Sequence, residues 1–275
     1  MKRTVILLFG VIAYGVFFGT FLYLIAFVGN LQNTALVQWV PALPDLVPHS
    51  IDFGRQHAPV ALAAAIDLGL ILLFGAQHSV MARMGFKAWL KNKLPQSAER
   101  SVYVLLASLV LIVLFWQWRP ITQIVWSADS PAGQAIGWSV FALGFAIVLL
   151  STFLIDHFDL FGLKQVWRQF AGRSPEPPRF TTPLFYRLVR HPLYLGFILA
   201  FWAAPVMSAG HLLFAATMTG YILFAIRLEE KDLIHHLGER YANYRRQVPM
   251  LVPRPWRPFD ERRSTATGVG PNPAP

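Results

Sequence analysis

Apolar residues run through this chain in long unbroken blocks, not in the alternation of a half-buried strand or the narrow stripe of a soluble helix. Blocks of about 18 or more apolar residues with few charges are the pattern of helices that cross a bilayer. Six such helices are predicted, at about 4–28, 58–81, 102–126 and 134–156, then a hairpin of 193–207 and 211–230. At about 1.5 Å per residue each covers most or all of a hydrocarbon core about 30 Å thick. The fifth is the shortest: it begins at Pro192, carries Pro205 and turns at Ser208-Ala209-Gly210, so a re-entrant segment is the alternative to a full span. The expected fold class is therefore all-α, a polytopic integral membrane protein of five to six transmembrane helices ending in a C-terminal helical hairpin.

The first block, Val5 to Val28, follows Lys2 and Arg3 as a signal peptide would, but it is too long for one and lacks a small-x-small cleavage site. It is read as a retained helix. Between the blocks, His157 to Trp167 mixes aromatic and charged residues as an interfacial segment does, and Arg173 to Arg179, with Pro175, Pro177 and Pro178, reads as a linker. Thr182 and Pro183 form an N-cap and N1 pair for a short helix that must stop near His191, because Pro192 disfavours helix at the preceding residue. Beyond Glu230 an amphipathic segment carries Gly238-x-x-Tyr241-x-x-Tyr244 and Val248-Pro249, and Ser264 to Pro275 reads as a disordered tail. This divides the chain into a transmembrane region (1–156), a region with interfacial segment, hairpin and amphipathic end (157–263), and the tail (264–275). No internal repeat is visible, which argues against an inverted-repeat transporter.

Charge supports the helix count. Of 24 Lys and Arg residues, 22 fall at the amino end, in 82–101, in 157–192 and from Arg227 onward, leaving Arg55 and Arg119 for the opposite side. Both termini are expected to be cytoplasmic, in a multi-pass protein of a plasma (bacterial-type inner) membrane. The net charge of +10 is thereby spread over four segments facing anionic lipid, which argues against nucleic acid as a partner. The chain has no cysteine, which excludes disulfides, thiolate metal sites and a cysteine nucleophile. No metal site is expected.

Reactive-looking side chains bracket the hairpin: Arg190-His191-Pro192-x-Tyr194-x-Gly196 opens it and Glu229-Glu230 closes it. Antiparallel packing would bring Arg190, His191, Tyr194, Glu229 and Glu230 together at one membrane edge, where ionisable groups are functional candidates. A helix start with unpaired N–H groups beside Arg190 suits a carboxylate or phosphate, and paired glutamates suit a ribose diol or a cation. Together these match a zwitterionic, ribose-bearing cofactor. Each motif alone reads more readily as a headgroup contact or a solvated helix end, and it is their combined order that favours a site.

That order of motifs, continued by Tyr241-x-x-Tyr244 and Val248-Pro249, resembles the isoprenylcysteine carboxyl methyltransferase-like superfamily of membrane enzymes over about residues 183–253. The resemblance implies S-adenosyl-L-methionine as cofactor, with binding roles for Arg190, His191, Tyr194, Gly196, Glu229, Glu230, Tyr241 and Tyr244. Gly29-Asn30, Val47-Pro48-His49-Ser50-Ile51-Asp52, Gln77-His78-Ser79-Val80-Met81-Ala82-Arg83 and Glu99-Arg100-Ser101 look like the NnrU-related branch, and Asp156 to Leu163 is similar to methanethiol S-methyltransferases. His49 departs from the lysine expected there. The implied reaction is methylation of methanethiol, and by extension hydrogen sulfide, by a sulfonium donor. A thiol reacts as its thiolate, so a base or a nearby positive charge is needed. The candidates are His78, Asp156 and His157 as bases, with Arg83, Arg100 or Arg187 stabilising the thiolate, and the 1–156 region lining the acceptor side. Two other readings remain open: a haem-binding membrane isomerase of the same branch, using His78 or His191 as axial ligand, and a non-enzymatic scaffold or carrier in nitrogen-oxide metabolism.

Overall fold

The computed structural model describes residues 2–54, 58–175 and 180–253, so Arg55, the linker end with Pro177, Pro178 and Arg179, and the 264–275 tail lie outside the described residues. In chain order the helices are α1 (Lys2–Val28), α2 (Leu43–Leu46), α3 (Val60–Ala82), α4 (Met84–Lys91), α5 (Glu99–Gln117), α6 (Pro131–Ile155), α7 (His157–Leu160), α8 (Leu163–Phe170), α9 (Pro192–Trp202), α10 (Ala209–Leu237) and α11 (Glu239–Gln247). Two short strands, β1 (Ile124–Ser127) and β2 (Val206–Ser208), and four short 3-10 turns complete the described elements. Five helices are long and apolar enough to cross a membrane, with α9 a shorter sixth. Large side chains such as Leu8, Ile12, Leu62, Leu72, Leu143 and Leu150 point outward along them. That arrangement is stable only where the surroundings are as apolar as the side chains, and this is a multi-pass membrane protein.

The spans form a closed ring in which α6 meets α9, α9 meets α10, α10 meets α3, α3 meets α5 and α5 meets α1. Phe21 of α1 closes the ring edge-to-face on Phe145 of α6, 5.9 Å between centroids. Phe27, Trp118, Phe201 and Phe214 fill the centre. The indole N–H of Trp118, just past α5, donates to the Ile51 carbonyl at 3.0 Å, pinning the loop after α2 under the ring.

The tightest seam is α6 against α9. A Cβ on Gly196 would lie 2.6 Å from the Gly144 carbonyl oxygen, and one on Gly144 would lie 2.7 Å from that of Gly196. Glycines at both positions let two helix backbones touch, as in membrane packing where lipid supplies no hydrophobic drive between helices.

Two expectations need correction. The third helix stops at Gln117, not near 126, because Pro120 removes a donor and the β-branched run beyond it pairs as β1. The helix predicted after Thr182 is only a 3-10 turn, Leu184–Arg187, preceded by Pro183 with no side-chain cap. The fifth apolar segment is helical for just 11 residues, about 16 Å of rise, and completes its path as β2. β2 pairs antiparallel with β1, Ile124 opposite Ser208 and Ser127 opposite Val206. Around the pair, Ala128 N–H donates to Pro205 O at 2.8 Å and Ala209 N–H to Gln123 O at 2.7 Å. Non-helical backbone beside lipid must find partners within the protein, and β1 supplies them.

Candidate active site

The two ends of the hairpin meet. Residues 190–191 lie beside the segment after α11: Arg190 N–H donates to Pro249 O at 2.9 Å and His191 N–H to Met250 O at 3.2 Å. The Arg190 Nε donates to Glu230 Oε1 at 2.7 Å, His191 Nε2 lies 3.0 Å from the same oxygen, and Arg245 Nε is 3.2 Å from Glu230 Oε2. Arg190 also donates to the Arg245 and Val248 carbonyls. Glu230 is 5% exposed with both oxygens engaged. It is a clasp holding α11 and its following turn against the start of α9.

Tyr241 and Tyr244 belong to the same fastening. Both are buried with Val248 against Phe180, Leu233, Ile234 and Leu237. Tyr244 donates its hydroxyl to Tyr186 O at 2.6 Å, and burial pushes both phenols well above their ordinary pKa. Gly196, five residues beyond His191, faces the α6 backbone in the seam described above.

Glu229 is placed differently. Its side chain is 45% exposed, and the carboxylate accepts from the Tyr194 hydroxyl at 3.0 Å and stands 4.0 Å from His191 Nδ1. Tyr194 is in turn within electrostatic reach of Tyr221 and Tyr103. Tyr103 pairs with His78, hydroxyl to Nε2, at 2.8 Å, and Tyr221 with the Ser79 hydroxyl at 3.2 Å. The Arg100 guanidinium lies over the Tyr103 ring, 5.1 Å from its centroid, while its Nε donates to Leu160 O at 2.6 Å. Arg83 forms an ion pair of 3.0 Å with Asp232, one turn beyond Glu229. Helices α3, α5, α9 and α10 thus gather His78, Tyr103, Tyr194, Tyr221 and Glu229 into one aromatic-lined cluster rimmed by Arg83 and Arg100. His78 Nδ1 is sealed from solvent and has no hydrogen-bond partner among the described residues.

The other three sequence candidates sit elsewhere. His157 is buried at the corner between α6 and α8, its Nε2 2.9 Å from the Tyr14 hydroxyl, its Nδ1 2.8 Å from the Thr152 hydroxyl and its ring stacked on Phe153. Burial holds its pKa below the ordinary histidine value. Asp156 caps α7 through Asp159 N–H and binds Lys164 Nζ at 2.5 Å; burial pushes its pKa up, but the hydrogen bonds and charge of these partners outweigh it and leave the carboxyl below its usual range. Arg187 is exposed at the end of the 3-10 turn. Where they stand, His157 and Asp156 fasten the corner of α6, α7 and α8 and Arg187 faces solvent, and none of the three joins the cluster around His78.

Sequence reasoning missed Tyr103 and Tyr221. Both carried a signal: Tyr103 stands three residues after Arg100 and Tyr221 eight before Glu229, spacings that put each pair on one helical face.

Two cavities lie in this region, one at the Glu230 clasp and one reaching the cluster through Ser79, Arg83 and Tyr221. One of about 240 Å³ is lined by Arg227, Glu230, Lys231, Ile234 and Arg245. The other, about 580 Å³, is an apolar groove between α3 and α10 whose walls include Gly75, Ala76, Ser79, Gly220, Tyr221 and Phe224. Gly75 makes room for its inner wall, since a Cβ there would come 2.9 Å from the Tyr221 ring.

Comparison with known proteins places these features in context. A family model described as NnrU protein matches residues 68–268. The methanethiol S-methyltransferase of Crocosphaera subtropica is 50% identical over 253 residues, covering 92% of this chain and 93% of that protein. The methanethiol S-methyltransferase of Mycobacterium tuberculosis is 47% identical over 257 residues, covering 94% and 99%. Nurim from Sus scrofa is 32% identical over 192 residues, 65% of this chain and 71% of nurim. No solved structure matches.

Proposed function

This chain belongs to the NnrU protein family, and from that premise we propose that it methylates methanethiol to dimethyl sulfide with S-adenosyl-L-methionine as methyl donor. The carrying observation is the convergence of a half-exposed carboxylate, three tyrosines and a histidine with an unpartnered nitrogen at one membrane edge. The near-complete coverage of relatives named for this reaction supports the substrate.

The donor set fits the proposed cofactor. Glu229, with one oxygen taken by Tyr194, has capacity left to accept from a ribose diol. The faces of Tyr194 and Tyr221 suit a sulfonium cation. Arg190, His191 and Glu230 hold the frame on which Glu229 and Tyr194 are mounted, with Tyr241 and Tyr244 locking α11 behind it. When bound, S-adenosyl-L-methionine supplies an electrophilic methyl group. The chain's part is to align the acceptor in line with that methyl and exclude water, since attack of a thiolate on a sulfonium neutralises charge. Arg83 and Arg100 bring positive charge to the site, which favours the thiolate. His78 is the imidazole of the cluster left to meet the acceptor.

Methanethiol is small and apolar and partitions into lipid. The groove between α3 and α10, walled by outward-facing Leu72, Val80 and Phe224 and ending at the Ser79–Tyr221 pair, suits its approach. Hydrogen sulfide, smaller still, fits the same route as a second acceptor. The distribution of the basic segments supports a plasma-membrane orientation with both termini on the cytoplasmic side.

A haem-binding reading asks for His78 or His191 as axial ligand, and is less favoured because the relatives that cover nearly the whole chain are named for methyl transfer. A scaffold or carrier reading leaves the tyrosine cluster without purpose.

Headspace gas chromatography over purified protein with S-adenosyl-L-methionine and methanethiol tests the proposal. Dimethyl sulfide from wild type, absent with Glu229→Ala, is the expected result. No product from protein that binds the cofactor by calorimetry rejects methanethiol as acceptor.

A further inference from the structure

The His78–Tyr103 pair lies inside the helix ring, on the face of α3 turned to α5. His78 packs on Phe74 and Tyr103 at centroid distances of 5.3 and 5.1 Å. A neutral imidazole carries one N–H, and the hydrogen bond to Tyr103 decides where it sits. If Tyr103 O–H donates to Nε2, one buried group is left over, the Nδ1–H. With the reverse tautomer two are left over, the Nδ1 lone pair and the phenol proton. A phenol is also the better donor and an imidazole nitrogen the better acceptor. Burying an unmet polar group is costly, so the first arrangement is preferred, and it leaves a donor with no partner among the described residues.

We propose, resting on the methyltransferase reading, that the Nδ1–H of His78 binds the sulfur of the small-thiol acceptor and that Tyr103 is the positioning residue that puts the proton on that nitrogen. His78 then acts as a hydrogen-bond donor to sulfur and not as a base. The thiol S–H releases its proton to water at the solvent-facing edge of the cluster beside half-exposed Glu229, the thiolate is then held by Nδ1–H, and its lone pair forms the new S–C bond as the sulfonium C–S bond breaks and returns its electron pair to the donor's sulfur. His78 keeps its proton throughout. Arg100, stacked over Tyr103, sharpens the phenol as a donor and adds positive charge near the thiolate.

The test uses the full chain in detergent with ¹⁵N-labelled histidine, His78 being assigned by the signals lost in His78→Asn. The expected spectrum has a protonated Nδ1 and a bare Nε2, and added methanethiol moves the Nδ1 resonance. A bare Nδ1 overturns the proposal, as does a resonance that methanethiol leaves unmoved. Tyr103→Phe, which keeps the ring, is expected to lower kcat roughly tenfold, at the modest end for an outer partner of a working histidine, with S-adenosyl-L-methionine affinity unchanged by calorimetry. Parallel loss of cofactor affinity and turnover would make Tyr103 merely structural and overturn its assignment. If no dimethyl sulfide forms while the tautomer and the thiol-dependent shift are as stated, the sulfur site stands and the methyl-transfer reading falls.

Discussion

Glu229 and Glu230 are neighbours in sequence and opposites in use: Glu230 is clasped by Arg190, His191 and Arg245, while Glu229 turns the other way and accepts from Tyr194. Successive residues on a helix diverge by about 100°, so one carboxylate points into the fastening of α11 and the other toward the tyrosine cluster.

Substituting the two separates structure from binding. Glu230→Ala leaves Arg190 and His191 buried without their partner, and breaking such a pair costs about 3–5 kcal/mol. Thermal unfolding in detergent is expected to show a large loss of stability. Glu229→Ala is expected to keep the wild-type melting temperature and weaken S-adenosyl-L-methionine binding at least tenfold by calorimetry. The reverse ranking would exchange the roles of the two residues.

Gly196→Val places a branched side chain where even a Cβ meets the Gly144 carbonyl oxygen. Overpacking of this kind costs about 1–3 kcal/mol or more, because neither backbone can give way without moving its helix. A lower melting temperature is the expected result, matched by Gly144→Val on the facing helix. A Gly196 variant that loses cofactor affinity at unchanged stability would assign the glycine to cofactor binding instead of helix packing.

Gly220→Leu fills the groove between α3 and α10 at a position where a new Cβ meets nothing within 4 Å. Headspace kinetics are expected to show kcat/KM for methanethiol lowered severalfold with cofactor affinity intact. Gly69→Leu, an equally open position not among the groove's lining residues, is the control and keeps wild-type kinetics. Equal kinetics for both variants would exclude the groove as the acceptor's route.

His157 makes the corner of α6, α7 and α8 sensitive to acid. Burial holds its pKa below the unfolded value of about 6.5, so the unfolded chain binds the extra proton first as pH falls. Its contribution to stability is complete above pH 6.5 and is lost progressively below it, down through the folded-state pKa. Melting temperatures measured from pH 7.5 to 5 are expected to fall more steeply for wild type than for His157→Gln. Parallel slopes would remove His157 as the source.

The amino-acid order alone determined that the chain crosses a membrane repeatedly, and which residues bracket the last hairpin. Blocks of apolar residues have no other stable home, and Arg190, His191, Tyr194, Glu229 and Glu230 are brought together by any antiparallel hairpin of that length. The division of labour among them was settled only in three dimensions. Which oxygen of Glu230 meets Arg245, why Gly196 faces Gly144 and how Tyr103 reaches His78 all depend on helices distant in sequence packing at particular rotations. The pairing of β1 with β2 was equally hidden, because Ile121 to Trp126 is as apolar as a helix end and becomes a strand only beside the extended path that follows α9. Periodicity reports which surroundings a segment needs, and only tertiary contact chooses its partners.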